Sequence, residues 1–167
     1  MQIRPEQAAD IAAIHAVNRA AFDSDTEADL VDALREHADP IISLVADDGG
    51  SIVGHILFSP VTLSGHADLK IMGLAPMAVR PAEQRRGIGS ALVGAGLERC
   101  KQLGSGAVVV LGHPGYYPRF DFVPASRFGL ACEYDVPDEA FMALELELGI
   151  LRGASGTIRY HAAFADA

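Results

Sequence analysis

Positive charge is scarce in this 167-residue sequence: 13 Lys and Arg stand against 22 Asp and Glu, a formal net charge of −9. Binding a nucleic-acid backbone draws on clustered Lys and Arg that displace counterions, so nucleic acid is not expected as a partner. The two cysteines, Cys100 and Cys132, show neither a CxxC spacing nor flanking histidine pairs. That argues against a disulfide framework and a zinc site, and leaves both as small buried apolar side chains. No apolar run approaches the ~20 residues needed to cross a bilayer. The opening MQIRPEQAAD carries neither the basic n-region nor the apolar h-region of a secretory signal. A cytoplasmic protein with no membrane partner is therefore expected. Repeats, low-complexity tracts and Pro/Ser-rich linkers are also missing, so residues 1–167 are expected to form one domain.

What is present is a composition of 50% hydrophobic and 21% charged residues, which suits a packed globule and not a disordered chain. Charge is uneven along it. Residues 1–48 hold 11 acids and 3 bases, whereas residues 80–101 hold 5 bases and 2 acids. A basic segment inside an acidic protein is either a solvated helix end or a place that receives an anion.

Periodicity supplies the element order. Gln2 to Arg4 reads as a short strand. Ile11, Ile14, Val17 and Ala21, then Leu30, Val31, Leu34 and Ala38, recur at helical spacing. Ser24 and Glu27 between them are spaced as a capping box. Ile41 to Ala46 and Ser51 to Phe58 read as a hairpin turning at Asp48-Gly49. A third strand, within Leu69 to Val79, contains Pro76, which cannot donate to a ladder and so opens the sheet beside Ala75 to Met77. Leu92, Val93, Leu97 and Cys100 mark a helix entered through QRRGIGS, and Ala107 to Leu111 a buried strand. GHPGYYPRFDF reads as a turn with a short helix. Alternation over Met142 to Leu148 and Ile158 to Phe164 suggests an antiparallel pair joined through Gly153 and Gly156. A mixed sheet with helices on both faces packs this order economically.

Gln84-Arg85-Arg86-Gly87-Ile88-Gly89-Ser90 sits where the opened strand meets the helix. A helix start offers unpaired N–H groups and about half a positive charge; two glycines allow close backbone approach, and two arginines add charge. These are the parts of a pyrophosphate cradle. The GK[ST] of a P-loop and the first-strand GxGxxG of a dinucleotide fold are both missing.

The run MAVRPAEQRRGIGSALV resembles the acetyl-CoA motif of the GNAT superfamily of N-acetyltransferases, whose core is Q/R-x-x-G-x-G/A. LGHPGYYPRFDFVPA is similar to that family's segment after the fifth strand, where a tyrosine often precedes a Gly-Phe pair; here Asp121 stands in place of the glycine. The resemblance implies a single-domain α/β GNAT-like fold with a central mixed, splayed sheet. It implies acetyl-CoA as co-substrate, no metal, and a monomer or homodimer. By position, Gln84, Arg85, Arg86, Gly87, Ile88, Gly89 and Ser90 would hold the pyrophosphate. The backbone of Met77, Ala78 and Val79 would pair with the pantetheine arm, and the Met77 N–H would polarise the acetyl carbonyl, since Pro76 has none. Tyr117, five residues before Phe122, would lie near the sulfur and protonate the leaving thiolate, with Tyr116 the neighbouring alternative.

A primary amine with a pKa near 10.4 is neutral in about one molecule in a thousand at pH 7, a cost of about 4 kcal/mol that deprotonation must offset. The strand LKIMGLAPMAV has no acid. The base is thus ordered water or one of His113, Glu27 and His55, with His113 best placed at the end of the strand beside the gap. The resemblance also implies an acceptor pocket across the gap, walled by the two N-terminal helices and the C-terminal hairpin. There Glu27, with Asp23 and Asp25, would face a cationic amine or else simply cap its helix.

The leading expectation is direct acetyl transfer from acetyl-CoA to an amine of a small molecule or peptide, with no acetyl-enzyme. The alternatives are a non-catalytic acyl-CoA-binding module on the same fold, or acetylation of a protein N-terminus or lysine.

Overall fold

In the computed structural model, which describes residues 1–166, nine strands and three longer helices follow one another in the order that periodicity suggests. The strands are β1 (Gln2–Pro5), β2 (Ile42–Asp48), β3 (Ser51–Leu63), β4 (Ile71–Val79), β5 (Ala107–Leu111), β6 (Val123–Pro124), β7 (Leu130–Cys132), β8 (Phe141–Glu145) and β9 (Gly156–Arg159). The helices are α1 (Ile11–Phe22), α2 (Thr26–His37) and α3 (Ile88–Leu103). Strands lie in the order β1-β2-β3-β4-β5-β8-β6, with β9 on the end of β3 and β7 beside β9. The β4/β5 and β7/β9 pairs are parallel and the rest antiparallel, so the sheet is mixed as expected.

Each face has its own apolar layer. Ile14 and Val17 of α1 and Leu30, Val31 and Leu34 of α2 pack on Val45, Leu57 and Ala78. Leu92, Val93 and Cys100 of α3 pack on the opposite face against Leu44, Ile56 and Phe58. Gly87, at φ 81, gives α3 its abrupt start in a backbone conformation that costs a residue with a Cβ.

The opening of the sheet is where Pro76 puts it. Ile56 pairs with Met77 but Phe58 pairs with Leu74, so β4 bulges across Ala75 and Pro76. On its other edge β4 pairs with β5 only from Ile71/Ala107 to Leu74/Val110. From Ala75 to Val79 the strand has β3 on one side and no strand on the other.

Three expectations are corrected. The β2–β3 turn falls on Gly49 and Gly50, at φ 63 and 97, one residue later than Asp48-Gly49, with Asp47 Oδ1 accepting the Gly50 N–H at 2.7 Å. No capping box forms at α2: the N-cap is Asp25, and Ser24 Oγ instead accepts the Thr26 N–H at 3.3 Å, one position too early to meet a Glu27 at N3. The C-terminal hairpin does not form either. β8 is taken by β5 and β6, and β9 by β3 and β7, while the chain from Ala162 to Asp166 turns into a short 3-10 helix. Alternation assigned those residues to a face; it carried no information about which strand would pair with them.

Candidate functional site

A cavity of about 470 Å³ opens where β4 has lost its β5 neighbour. Met77 and Val79 form one wall, and Gln84, Arg85 and Gly87 to Ser90 another. Tyr116 and Arg119 close it from the turn after β5, and Ala21 and Phe22 from the end of α1. The phase of the β3/β4 ladder decides which backbone groups face the opening. The Arg80 N–H donates to the Val53 carbonyl at 2.9 Å, so Val53/Arg80 is a hydrogen-bonded pair. Alternation makes His55/Ala78 the next such pair and turns the N–H and C=O of Met77 and Val79 away from β3. Ala78, expected to share in backbone pairing at the gap, is corrected here: its N–H and C=O are committed to the sheet. The Val79 carbonyl accepts from Gln84 Nε2 at 3.1 Å, which pins the loop to the strand.

At the start of α3, the first helical bond runs from the Ala91 N–H to the Gly87 carbonyl, at 3.0 Å. The N–H groups of Ile88, Gly89 and Ser90 come before it and have no acceptor in the helix, which makes an anion-binding end. Gly89 lies between Met77 and Tyr116; a Cβ there would sit 3.4 Å from the Tyr116 hydroxyl and 3.5 Å from Met77 Cε. The two loop arginines separate. Arg85, at φ 66, lines the cavity, whereas Arg86 is outside the lining and pairs with Glu83, three residues before it.

The adjacent tyrosines also differ. Tyr116 reaches Ser90, hydroxyl to Oγ 2.9 Å, and Arg119 lies over its ring at 4.3 Å. Tyr117 is buried, edge-on to Phe122 and Tyr116, with its ring over Gly112 at the end of β5. Burial pushes its phenol up to about 12. His113 is exposed and outside the cavity lining. Its carbonyl accepts the Tyr116 and Tyr117 N–H groups at 3.0 and 3.4 Å, and its Nδ1 accepts the Gly115 N–H at 3.2 Å, so it braces the tyrosine turn.

His55 belongs to a buried chain under α1. Asn18 Nδ2 donates to the Ile14 carbonyl (3.0 Å) and to His55 Nδ1 (3.2 Å), which leaves the ring proton on Nε2 for Ser43 Oγ at 2.8 Å. The Ser43 hydroxyl donates to Glu6, and Arg35 donates to the same carboxylate at 2.7 and 3.1 Å. Burial pushes His55 down to about 4, only partly opposed by Glu6. With Nδ1 occupied and so low a basicity, His55 is a poor proton acceptor and a good strut. Burial would raise the Glu6 carboxyl, but the bonds from Arg35 and Ser43 hold it below its ordinary range.

Of the acids near α2, Asp25 is exposed and paired with Arg19 at 2.8 Å, and Asp23 is exposed. Glu27 is different: its Oε2 is buried and has no hydrogen-bond partner among the described residues. Cys100 is buried and its thiol pushed up to about 12 by desolvation, so it makes a poor nucleophile. Among the described residues, His15, Asp29 and Asp32 cluster as metal ligands would, but none lines the cavity, and Asp32 already pairs with Arg35 at 3.0 Å.

The family profile described as "Acetyltransferase (GNAT) domain" matches residues 2–125. The chain belongs to the GNAT acetyltransferases. It is 39% identical over 165 residues, 98% of each protein, to the uncharacterized N-acetyltransferase YhbS of Escherichia coli (strain K12). The structure of YhbS from E. coli in complex with CoA superposes with a TM-score of 0.92 at 38% identity, covering 98% of this chain and 91% of that one. A GNAT acetyltransferase from Brucella melitensis, in complex with acetyl-CoA, gives 0.81 at 37% identity, covering 98% and 97%. The GNAT fold and the N-acetyltransferase class that the resemblance implied are thereby established.

Within this GNAT enzyme, Arg119, Phe22 and the Tyr116–Ser90 contact escaped the sequence reading. Arg119 had one available signal, its place three residues after Tyr116 in a one-turn helix. Phe22 ends the apolar stripe of α1, and nothing in that stripe marks it as reaching a distant loop.

Proposed function

We propose that this cavity receives acetyl-CoA and that the enzyme passes the acetyl group directly to an amine of a small molecule or peptide. One observation carries the reading: the unpaired edge of β4 and the open end of α3 face the same cavity. Acetyl-CoA supplies the thioester; the rest is the work of this chain's own groups. The N–H groups of Ile88, Gly89 and Ser90, with Arg85 and Arg119, hold phosphate charge. Gln84 keeps the loop against Val79, and the Met77 and Val79 N–H groups are left for the pantetheine and the acetyl carbonyl. Tyr117, a phenol and therefore protonated at neutral pH, serves as the donor to the departing sulfur. Glu27 receives the charged amine, and the amine's proton leaves through ordered water.

Thiol release from acetyl-CoA across a panel of primary amines tests the reading. Release that depends on the amine, with a mass gain of one acetyl group on that amine, is the expected result. Calorimetric binding of acetyl-CoA without release for any amine would overturn transfer; no binding would overturn the site as well.

A further inference from the structure

Acids outnumber bases by 22 to 13 in this protein, yet Arg119 lines the cavity and makes no ion pair among the described residues. What it holds instead is Tyr116. Arg119 Nε donates to the Tyr116 carbonyl at 2.8 Å, the Arg119 backbone N–H reaches the same carbonyl at 3.4 Å, and the guanidinium carbon lies 4.3 Å from the centre of the Tyr116 ring. Nε and one face of the guanidinium are thus taken, and the two Nη groups are left over. Tyr116 in turn faces two ways. Its hydroxyl meets Ser90 Oγ at 2.9 Å in the first turn of α3, and its ring stands edge-on to Tyr117, with centroids 5.1 Å apart and planes at 87°. Tyr117 is held from behind by Phe122, at 5.7 Å, and by Gly112, where a Cβ would come 2.3 Å from Tyr117 Cε2. A shift of Tyr116 therefore reaches Tyr117 directly, because rings packed this closely leave no slack to absorb it.

We propose that Arg119 is a positioning residue that turns the capture of a donor phosphate into the placement of the Tyr117 hydroxyl at the sulfur. The inference rests on the acetyl-transfer reading above, in which Tyr117 is the proton donor. Arg119 is exposed, and an exposed arginine samples many rotamers, of which only some lay the guanidinium on Tyr116. A phosphate on the Nη groups selects those rotamers, since the fork can meet its oxygens while Nε and the ring face stay on Tyr116. Binding energy from a part of the donor remote from the thioester is in this way used at the reacting centre. Lysine cannot substitute: one ammonium does not reach a phosphate and the Tyr116 carbonyl together with the ring.

The test is steady-state kinetics with acetyl-CoA and with S-acetylpantetheine, which carries the thioester and no phosphate. Wild type, Arg119→Lys, Tyr117→Phe and the double variant are compared with an amine that supports thiol release. With acetyl-CoA, Arg119→Lys should lower kcat about tenfold, the carbonyl bond and the ring contact being lost together, while KM rises no more than about threefold. With S-acetylpantetheine the same substitution should lower kcat less than about threefold. In the Tyr117→Phe background its effect on kcat should shrink below about twofold, because the hydroxyl being placed is gone. The melting temperature should stay within a few degrees of wild type. A raised KM with unchanged kcat would make Arg119 a phosphate ligand alone and overturn the proposal. Equal kcat losses with the two donors, or a loss undiminished in the Tyr117→Phe background, would make it a general brace of the turn and overturn the proposal as well. No thiol release from either donor by wild type with any amine would overturn the transfer reading itself, and this inference with it.

Discussion

The Tyr116 hydroxyl lies 2.9 Å from Ser90 Oγ, so the turn after β5 is fastened to the first turn of α3 across the mouth of the cavity. The next residue, Tyr117, turns its ring the other way, onto Gly112. Under the roles proposed above the two adjacent tyrosines have separate tasks, and their substitutions should separate kinetically.

Tyr117→Phe should lower kcat by about 10²–10⁴-fold and leave the KM for acetyl-CoA near its wild-type value, because only a proton donor is lost. Tyr116→Phe should instead raise the KM for acetyl-CoA by roughly fivefold, the worth of about one neutral hydrogen bond, with kcat less affected. Steady-state kinetics on both variants checks the division; the opposite pattern would assign the acid to Tyr116.

Gly112→Ala tests the placement of Tyr117 without touching its hydroxyl. A Cβ on Gly112 would come 2.3 Å from Tyr117 Cε2, too close to tolerate, so the ring must move. Overpacking of this kind costs about 1–3 kcal/mol, and the melting temperature should fall accordingly. kcat should fall with it, and the double variant Gly112→Ala/Tyr117→Phe should be little slower than Tyr117→Phe alone.

Much of this was legible in the chain. Pro76 announced the opening in β4, because a residue without an N–H cannot sit in a regular ladder, and Gly87-Ile88-Gly89 announced the open helix end. The identity of the free backbone groups was less accessible: whether Met77 or Ala78 faces the gap depends on ladder phase, which Arg80 and Val53 set through a bond that no local pattern encodes. Strands as short as β6 and β7, two and three residues long, leave too little alternation to detect. The pairing of β9 with β3 is a contact between residues almost a hundred positions apart in sequence, Leu63 and Ile158 among them.

The buried chain through His55 should make stability pH-dependent with a definite sign. His55 has a folded pKa of about 4 against an ordinary 6.5, so between these values the unfolded state binds a proton that the folded state does not. Stability is full above 6.5, falls as pH drops through that window and has lost on the order of 3 kcal/mol below it. Glu6, held below its ordinary 4.5, adds a second loss once pH passes beneath that value. Urea unfolding of wild type and His55→Gln across this range should show the slope between pH 6.5 and 4 flattened in the variant. An equal slope in both would place the titration elsewhere.

The claim on which the rest depends is that the open end of α3, beside the unpaired edge of β4, is where acetyl-CoA binds. Gly89→Val tests it most directly, since the added side chain enters the space between Met77 and the Tyr116 hydroxyl while helical backbone geometry is retained. Titration calorimetry of acetyl-CoA into wild type and Gly89→Val should show affinity reduced at least about tenfold, a loss of about 1.4 kcal/mol or more, with the melting temperature within a few degrees of wild type. Equal affinity in a folded Gly89→Val protein would contradict the account and move the acetyl donor away from this cavity.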